Sequence, residues 1–289
     1  MAQSFTTTGT GALAKTKGQT RRRVLVTGAA GRIGSYFAEH AHQKYDLRLM
    51  GMEGDDTRGI QEFGEVLTGD VEDLERMKQV CDGIDTVVHM AGNPDPSATW
   101  ERLLGTNIVG AYNTMVAAKA AGCRRVVFAS SIHAVSGYPA DVQVKTSEPV
   151  NPGDLYGVSK CFGEALGRYM AEQEGLSVIA LRIGAFQPLE AAREENNVGM
   201  LDAFVSNRDL HQLIERSIDV ENIRFAILHG LSDNRFKRLD ISDARALVGY
   251  DPQDDFTREN PAVDVLSQSE TVSGHNRADG QESGIREEV

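Results

Sequence analysis

The stretch Arg23-Val24-Leu25-Val26-Thr27-Gly28-Ala29-Ala30-Gly31-Arg32-Ile33-Gly34 decides how this chain folds. A short apolar run ends in glycines at every third position, and a helical pattern continues over 32–42. A run of that kind reads as a buried strand. Glycine in the turn permits backbone conformations and close approaches that a side chain would block. Such a turn can rest a pyrophosphate on the N-terminus of the helix that follows. The spacing is G-x-x-G-x-x-G rather than G-x-G-x-x-G, and standing alone a turn like this is as often structural as ligand-binding.

The alternation continues downstream. Residues 47–50, 65–67, 86–90, 125–129 and 178–181 read as strands. Helices begin near Val71 and span 100–121, and the helix bearing 156–160 follows the strand ending in Ser130 and Ser131. Strands alternating with helices imply an α/β fold with a parallel sheet covered on both faces. Beyond Gly184 the pattern breaks, and 185–200 reads as a polar loop over the site. A helix at 209–217, a strand at 224–228 and a helix at 241–247 complete the unit. The expected organisation is a disordered tail at 1–21, a dinucleotide-binding core at 22–184, a small substrate-capping region at 185–260 and a second disordered tail at 261–289.

A second motif, Tyr156-Gly157-Val158-Ser159-Lys160, lies in the helix after the fifth strand. Residues four apart share a helix face, so the ammonium of Lys160 can sit beside the phenol of Tyr156. A nearby positive charge favours the phenolate and pulls its pKa toward neutrality. A phenolate is a general base suited to taking a proton from an alcohol. The hydride leaving the same carbon needs an acceptor, which a dinucleotide provides. The two motifs together, in this order, point to a dehydrogenase-type site.

Composition narrows the classes. The chain has 289 residues, 40% hydrophobic, with a net charge of -12. That balance lacks the basic footprint of a nucleic-acid binder. The three cysteines, Cys81, Cys123 and Cys161, show no metal-ligand spacing and no disulfide framework, so no metal is expected. They suit a reducing cytoplasm. No apolar run is long enough to span a membrane. Lys15, Lys17, Arg21, Arg22 and Arg23 precede the first acidic residue, Glu39. An organelle transit segment has this bias, and so does a disordered tail.

The dinucleotide is expected on Gly28, Ala30, Gly31, Arg32, Ile33 and Gly34, on Asp70 and Val71 after the third strand, and on Ala91 and Gly92 after the fourth. An acidic residue ending the second strand would bind the adenosine ribose and select NAD. Gly51 stands there, with Glu53, Asp55 and Asp56 just beyond, and Glu53 is taken as the ribose-binding acid. Arg32 pulls the other way, since a guanidinium can pair with a 2′-phosphate. The reading is NAD, with NADP left open. Asp70 has an equal reading as a helix N-cap.

These residues resemble the extended short-chain dehydrogenase/reductase family, within the NAD-dependent epimerase/dehydratase superfamily, over most of the chain. The stretches RVLVTGAAGRIG, GTNIVGAYN, VVFASSIHAVSGYP and LYGVSKCFGE are most similar to uronate dehydrogenases and to archaeal NAD-linked glucose-6-phosphate dehydrogenases. The resemblance implies a Rossmann-type doubly wound parallel sheet with a small C-terminal substrate-binding region. It implies oxidation of a cyclic sugar (an aldose, sugar phosphate or uronate) at carbon 1, giving a lactone and passing the hydride to NAD. Tyr156 would take the hydroxyl proton, Lys160 would lower its pKa and hold the nicotinamide ribose, and Ser131 would orient the reacting oxygen. Asn107 would orient Lys160 through a water, its other reading being a polar residue that bends a helix. Asn93, Ile132, His133 and Arg193 complete the substrate side, with His133 equally read as a packed loop histidine.

Three departures stand out. Ser131-Ile132-His133 replaces a Ser-Asn-His segment, and Gly51 replaces the ribose-binding aspartate. Asn196-Asn197 is followed by Val198-Gly199-Met200, where uronate dehydrogenases place an arginine for the sugar carboxylate. A neutral aldose or a sugar phosphate is therefore expected to serve at least as well as a uronate, unless Arg193 substitutes. Arg182, Arg193 and Arg208 are the candidate phosphate partners. Too little chain follows Lys160 for a lobe that holds a sugar nucleotide. The alternatives are an epimerase or dehydratase with retained NAD, and a non-catalytic dinucleotide sensor. The expected partner is a small sugar, with neither nucleic acid nor membrane, and a homo-oligomer is left open.

Overall fold

The structure is a computed structural model and describes residues 21–264. The expected tails at 1–21 and 261–289 lie outside the described residues, apart from Arg21 and 261–264. The strands are β1 (Arg23–Thr27), β2 (Asp46–Gly51), β3 (Glu65–Thr68), β4 (Thr86–His89), β5 (Arg125–Ser131), β6 (Ser177–Ile183), β7 (Ala185–Gln187), β8 (Phe204–Ser206) and β9 (Phe225–Gly230). Seven of them form one sheet in the order β3-β2-β1-β4-β5-β6-β9. Every pairing in it is parallel. The order runs outward from β1 in both directions, so the connections leaving β1 and β4 diverge. A crevice opens between them at the carboxyl ends of the strands, the usual ligand seat of a doubly wound sheet.

The apolar runs alternate between two cores. Val24, Val26, Leu47, Leu49 and Val127 face one side, with Phe37, Leu210, Leu213 and Ile214. Those partners come from α1 (Arg32–Ala41) and, further on, from a helix at Asn207–Asp219. Leu25, Val87, Val126, Val178 and Ala180 face the other side, with Met77, Met115 and Met170. These come from α2 (Leu74–Cys81), from a helix at Gly110–Ala120 and from a helix at Leu155–Glu172. Burial on both faces explains why the strands read as continuous apolar runs rather than as alternating ones. At the foot of β5 the buried Arg125 donates to the carbonyls of Ser217, Val220 and Ile223. It thereby ties the connection before β9 to the sheet.

The long helix expected over 100–121 is broken into α3 (Trp100–Leu103), a π-helical turn at Leu104–Val109 and α4 (Gly110–Ala120). Next come α5 (Leu155–Glu172), α6 (Leu189–Ala192), α7 (Asn207–Asp219), α8 (Ser242–Val248), α9 (Phe256–Glu259) and α10 (Pro261–Asp264). The segment 185–200 is not a plain loop. It holds β7, α6 and a 3-10 turn at Glu195–Met200, and β7 pairs in parallel with β8. Packed chain also continues past residue 260. Val263 and Phe256 are buried against Ala192 and Phe204. Asn260, itself buried, donates to the carbonyls of Ala192 and Glu194. Among the described residues no helix is long and apolar enough to cross a membrane, and no group of three or more His, Cys, Asp or Glu could hold a metal ion.

Candidate active site

The glycine turn sits in the crevice between β1 and β4. Gly28 has φ +65, and a Cβ there would lie 2.7 Å from the backbone nitrogen of Ala91. The turn therefore requires glycine on both conformational and steric grounds. A Cβ on Gly34 would overlap the Gly28 carbonyl, so α1 can start this close only without one. No side chain caps α1 at Gly31. The N–H groups of its first turn are thus open to an anion, and Arg32, Ile33 and Gly34 line the cleft in front of them.

The cleft has two adjoining lobes of about 390 Å³ each. Gly28, Gly31, Gly92 and Asn93 line both. Ala30, Asp70, Val71 and Ala91 line the lobe over β2 and β3. Arg32, Ile33, Gly34, Ser131, Ile132, His133, Tyr156 and Lys160 line the lobe over β5 and β6. Glu53 lines neither, and Asp55 lines the lobe over β2 and β3 instead. The chain doubles back at Gly54, whose φ is +90, and the Asp55 carboxylate accepts the Met52 N–H at 2.7 Å. A Cβ on Gly51 would meet Asp55 Oδ2 at 3.3 Å. The Asp55 carboxylate thus occupies the room that a side chain ending β2 would fill.

The other lobe gathers the reactive side chains. Ser131 ends β5, and Tyr156 and Lys160 stand in the first turns of α5. Lys160 Nζ donates to the Ala129 carbonyl at 2.9 Å and lies 5.5 Å from the centre of the Tyr156 ring. Burial pushes the Tyr156 phenol up; the nearby Ser131 hydroxyl draws it down and the Asp154 carboxylate adds to the rise. Burial brings Lys160 down to about 8. The expected pull of Lys160 on the phenol toward neutrality is not seen; burial dominates and holds the phenol up. Both groups are desolvated, and the ammonium is directed at a carbonyl.

The π-helical turn carries Asn107. Its Oδ1 accepts the Asn93 N–H at 2.7 Å, and its Nδ2 donates to the Asn93 carbonyl at 3.1 Å and to Ser159 Oγ at 3.0 Å. The loop after β4 is thereby fastened to α5 one residue before Lys160. Asn107 thus sits at a π-helical break in the helix and lines neither lobe. A Cβ on Gly92 would stand 3.2 Å from Lys160 Nζ and 3.4 Å from Asn107 Oδ1.

The candidate arginines are engaged elsewhere. Arg32 donates to the Phe186 carbonyl at 3.0 Å and to Gln187 Oε1 at 2.8 Å, bridging the glycine turn to β7. It lines the lobe opposite Asp55, not the one beside it. Arg193 does not reach the site; it pairs with Glu259 at 2.9 Å and is mostly exposed. Arg208 pairs with Asp254. Arg182 makes a buried two-bond pair with Glu164 on α5, at 2.8 Å for each bond. Glu164 also accepts Ser130 Oγ at 2.6 Å, so the pair clamps β5 and β6 to the helix bearing Tyr156.

Sequence reading missed Asp154 and Gln187. Asp154 caps α5, accepting the Gly157 N–H at 2.7 Å, and its other oxygen meets His133 Nδ1 at 2.6 Å. An aspartate just before an apolar-periodic helix is a recognisable N-cap signal. Gln187 sits in a three-residue strand and carries no such signal.

The NAD dependent epimerase/dehydratase family matches residues 24–214 of the chain. The NAD-dependent glucose-6-phosphate dehydrogenase of Haloferax volcanii is 36% identical over 83% of this chain and 98% of its own length. The L-arabinose 1-dehydrogenase (NAD(P)(+)) of the same organism is 34% identical over 80% of this chain and 96% of its own. A crystal structure of a uronate dehydrogenase mutant from Agrobacterium tumefaciens, complexed with NAD, aligns with a TM-score of 0.74 at 33% identity. It covers 82% of this chain and 86% of that one.

Proposed function

The chain belongs to the NAD dependent epimerase/dehydratase family, and on that premise we propose that it is an NAD-dependent sugar dehydrogenase that oxidises carbon 1 of a cyclic sugar to a lactone. The observation that carries this reading is the convergence of Ser131, Tyr156 and Lys160 on the lobe that adjoins the glycine turn. The Ser131 hydroxyl holds the reacting oxygen, and Tyr156, once ionised, takes its proton. The ammonium of Lys160 spends one donor on Ala129 and keeps two for the nicotinamide ribose. The open N–H groups of α1 hold the pyrophosphate. When bound, NAD supplies the hydride acceptor. Residues 22–184 hold the dinucleotide, and the chain beyond them shapes the sugar side.

The test is a panel of aldoses, sugar phosphates and uronates assayed for NADH and lactone. Both products are expected in equal amounts. Interconversion of sugars without net NADH would favour the epimerase reading instead. Within the panel, a neutral aldose or a sugar phosphate is expected to match or exceed the uronates. Gly199 has open space around it and Arg193 is held by Glu259. A uronate without its charge-assisted partner loses roughly 1.5–3 kcal/mol, about one to two orders of magnitude in kcat/KM. Better use of glucuronate or galacturonate, lost on Arg193→Ala, would overturn that ranking.

Asp55 supports NAD over NADP. Its carboxylate lines the lobe over β2 and would repel a 2′-phosphate while accepting from a ribose hydroxyl. Asp55→Ala is expected to weaken NAD binding about tenfold and to narrow the gap to NADP, read as the two dissociation constants by calorimetry. An unchanged ratio would remove Asp55 from cofactor choice.

Two further readings accompany the function. Exposed Tyr112 on α4 stands near exposed Tyr169 on α5, and Leu155, Val158 and Phe162 are also exposed on α5. These apolar side chains support a homo-oligomer, which sedimentation would reveal as a mass above that of one chain. Three free cysteines support a reducing, cytoplasmic setting.

A further inference from the structure

We propose that Asp154 is a positioning residue that locks His133 as the acceptor for the sugar hydroxyl next to the reacting carbon. The inference rests on the sugar dehydrogenase reading above and adds a residue to it. One carboxylate makes two contacts. Oδ1 accepts the Gly157 N–H at 2.7 Å and so caps the helix that bears Tyr156 and Lys160. Oδ2 lies 2.6 Å from His133 Nδ1. An ionised carboxylate only accepts, so the proton between them belongs to Nδ1. In a neutral imidazole that leaves a bare lone pair on Nε2.

The ring is held in place from several sides. It packs edge-on against the Tyr156 ring, with centroids 5.3 Å apart and planes at 63°. The His133 N–H donates to Ser131 Oγ at 3.2 Å. Gly157 lets the His133 backbone rest directly on α5, since a Cβ there would overlap the His133 carbonyl. Exchanging the two ring nitrogens would break the contact to Asp154. His133 lines the lobe beside Ser131 and Tyr156, and Nε2 has no protein partner among the described residues. Ser131 and Tyr156 are assigned to the oxygen on carbon 1. The nearest donor that an acceptor beside them can meet is the hydroxyl on carbon 2; the ring oxygen has no proton to give.

Asp154→Ser separates the two jobs. A serine hydroxyl still caps the helix, yet it is too short to fix the imidazole. In the full chain, this variant is expected to keep its Tm and its NAD dissociation constant. Its KM for the best aldose is expected to rise about tenfold, with kcat within about threefold. The parent is expected to prefer that aldose over its 2-deoxy analogue by about tenfold or more in kcat/KM, and Asp154→Ser to lose most of that preference. Asp154→Ala drops the cap as well, so a fall in Tm seen there and not with serine isolates the helix effect. Full retention of the 2-deoxy discrimination in Asp154→Ser overturns the inference.

Nitrogen NMR of the His133 imidazole gives a readout that needs no turnover. The parent is expected to carry its proton on Nδ1, and Asp154→Ser to shift it to Nε2. A parent protonated on Nε2 alone overturns the inference even if the enzyme oxidises sugars. A parent with the Nδ1 proton that oxidises no sugar sinks the dehydrogenase reading and, with it, the assignment of a sugar hydroxyl to His133.

Discussion

Tyr156→Phe is expected to lower kcat by about a thousandfold while NAD binds within about threefold of the parent. The substitution removes one oxygen and keeps the ring that packs against His133. On the proposed function the lost atom is the proton acceptor, and neither Ser131 nor a charged Lys160 replaces it. Serine is too weak a base, and an ammonium has no lone pair to take a proton. A variant keeping a tenth or more of kcat would show that another group takes the proton. The pH dependence follows from the burial that pushes the phenol up. Only the phenolate accepts the proton, so the parent's kcat/KM for oxidation should climb as pH rises into the alkaline range. Asp154 adds to the rise in the phenol's pKa. Asp154→Ser removes that negative charge and should move the climb to lower pH.

Gly28→Ala is expected to remove NAD binding altogether and to lower the Tm sharply. At φ +65 an alanine carries a strain of roughly 1–2 kcal/mol. Its Cβ would also lie 2.7 Å from Ala91 N and 2.9 Å from Met90 C, which are backbone atoms of the neighbouring strand's exit. Neither can swing aside as a side chain would. Strain and overlap together place the expected loss at about 2–4 kcal/mol. The crevice between β1 and β4 must then open or distort. Gly199→Ala is the matched control, since its Cβ would meet nothing within 4 Å and its φ is not positive. Parent-like NAD affinity in Gly28→Ala would show that the turn is not the dinucleotide's seat.

The frame of the fold was legible because its strands are buried on both faces. Val24-Leu25-Val26 splits between two cores and so reads as an unbroken apolar run. The pair β7 and β8 was not legible, since three residues give no period to detect. Tyr156, Lys160, Ser131 and the glycine turn announced a site because their chemistry is bound to short spacings. Glu53 was expected at the lobe over β2 and Asp55 lines it instead, because distance along the chain says nothing about a reversal at Gly54. The fate of Arg193 depends on Glu259, 66 residues away, a separation over which no local pattern speaks. Asp154 carried a visible capping signal; its bond to His133 required the fold.

The pairing of β7 with β8 bears on how the segment between them can vary in length. Ala185 and Phe204 are register partners, and Gln187 pairs with Ser206. The chain between them, 188–203, leaves the frame at Gln187, which lines the reactive lobe, and returns beside its point of departure. Its two ends are pinned by strands that the rest of the fold already holds. Closing a loop across fixed ends costs little more when the loop lengthens, about 0.6 kcal/mol for each doubling. Changes in the length of its exposed stretches therefore cost little in closure, whereas Ala192, buried with Phe256 and Val263, keeps the segment tied to 256–263.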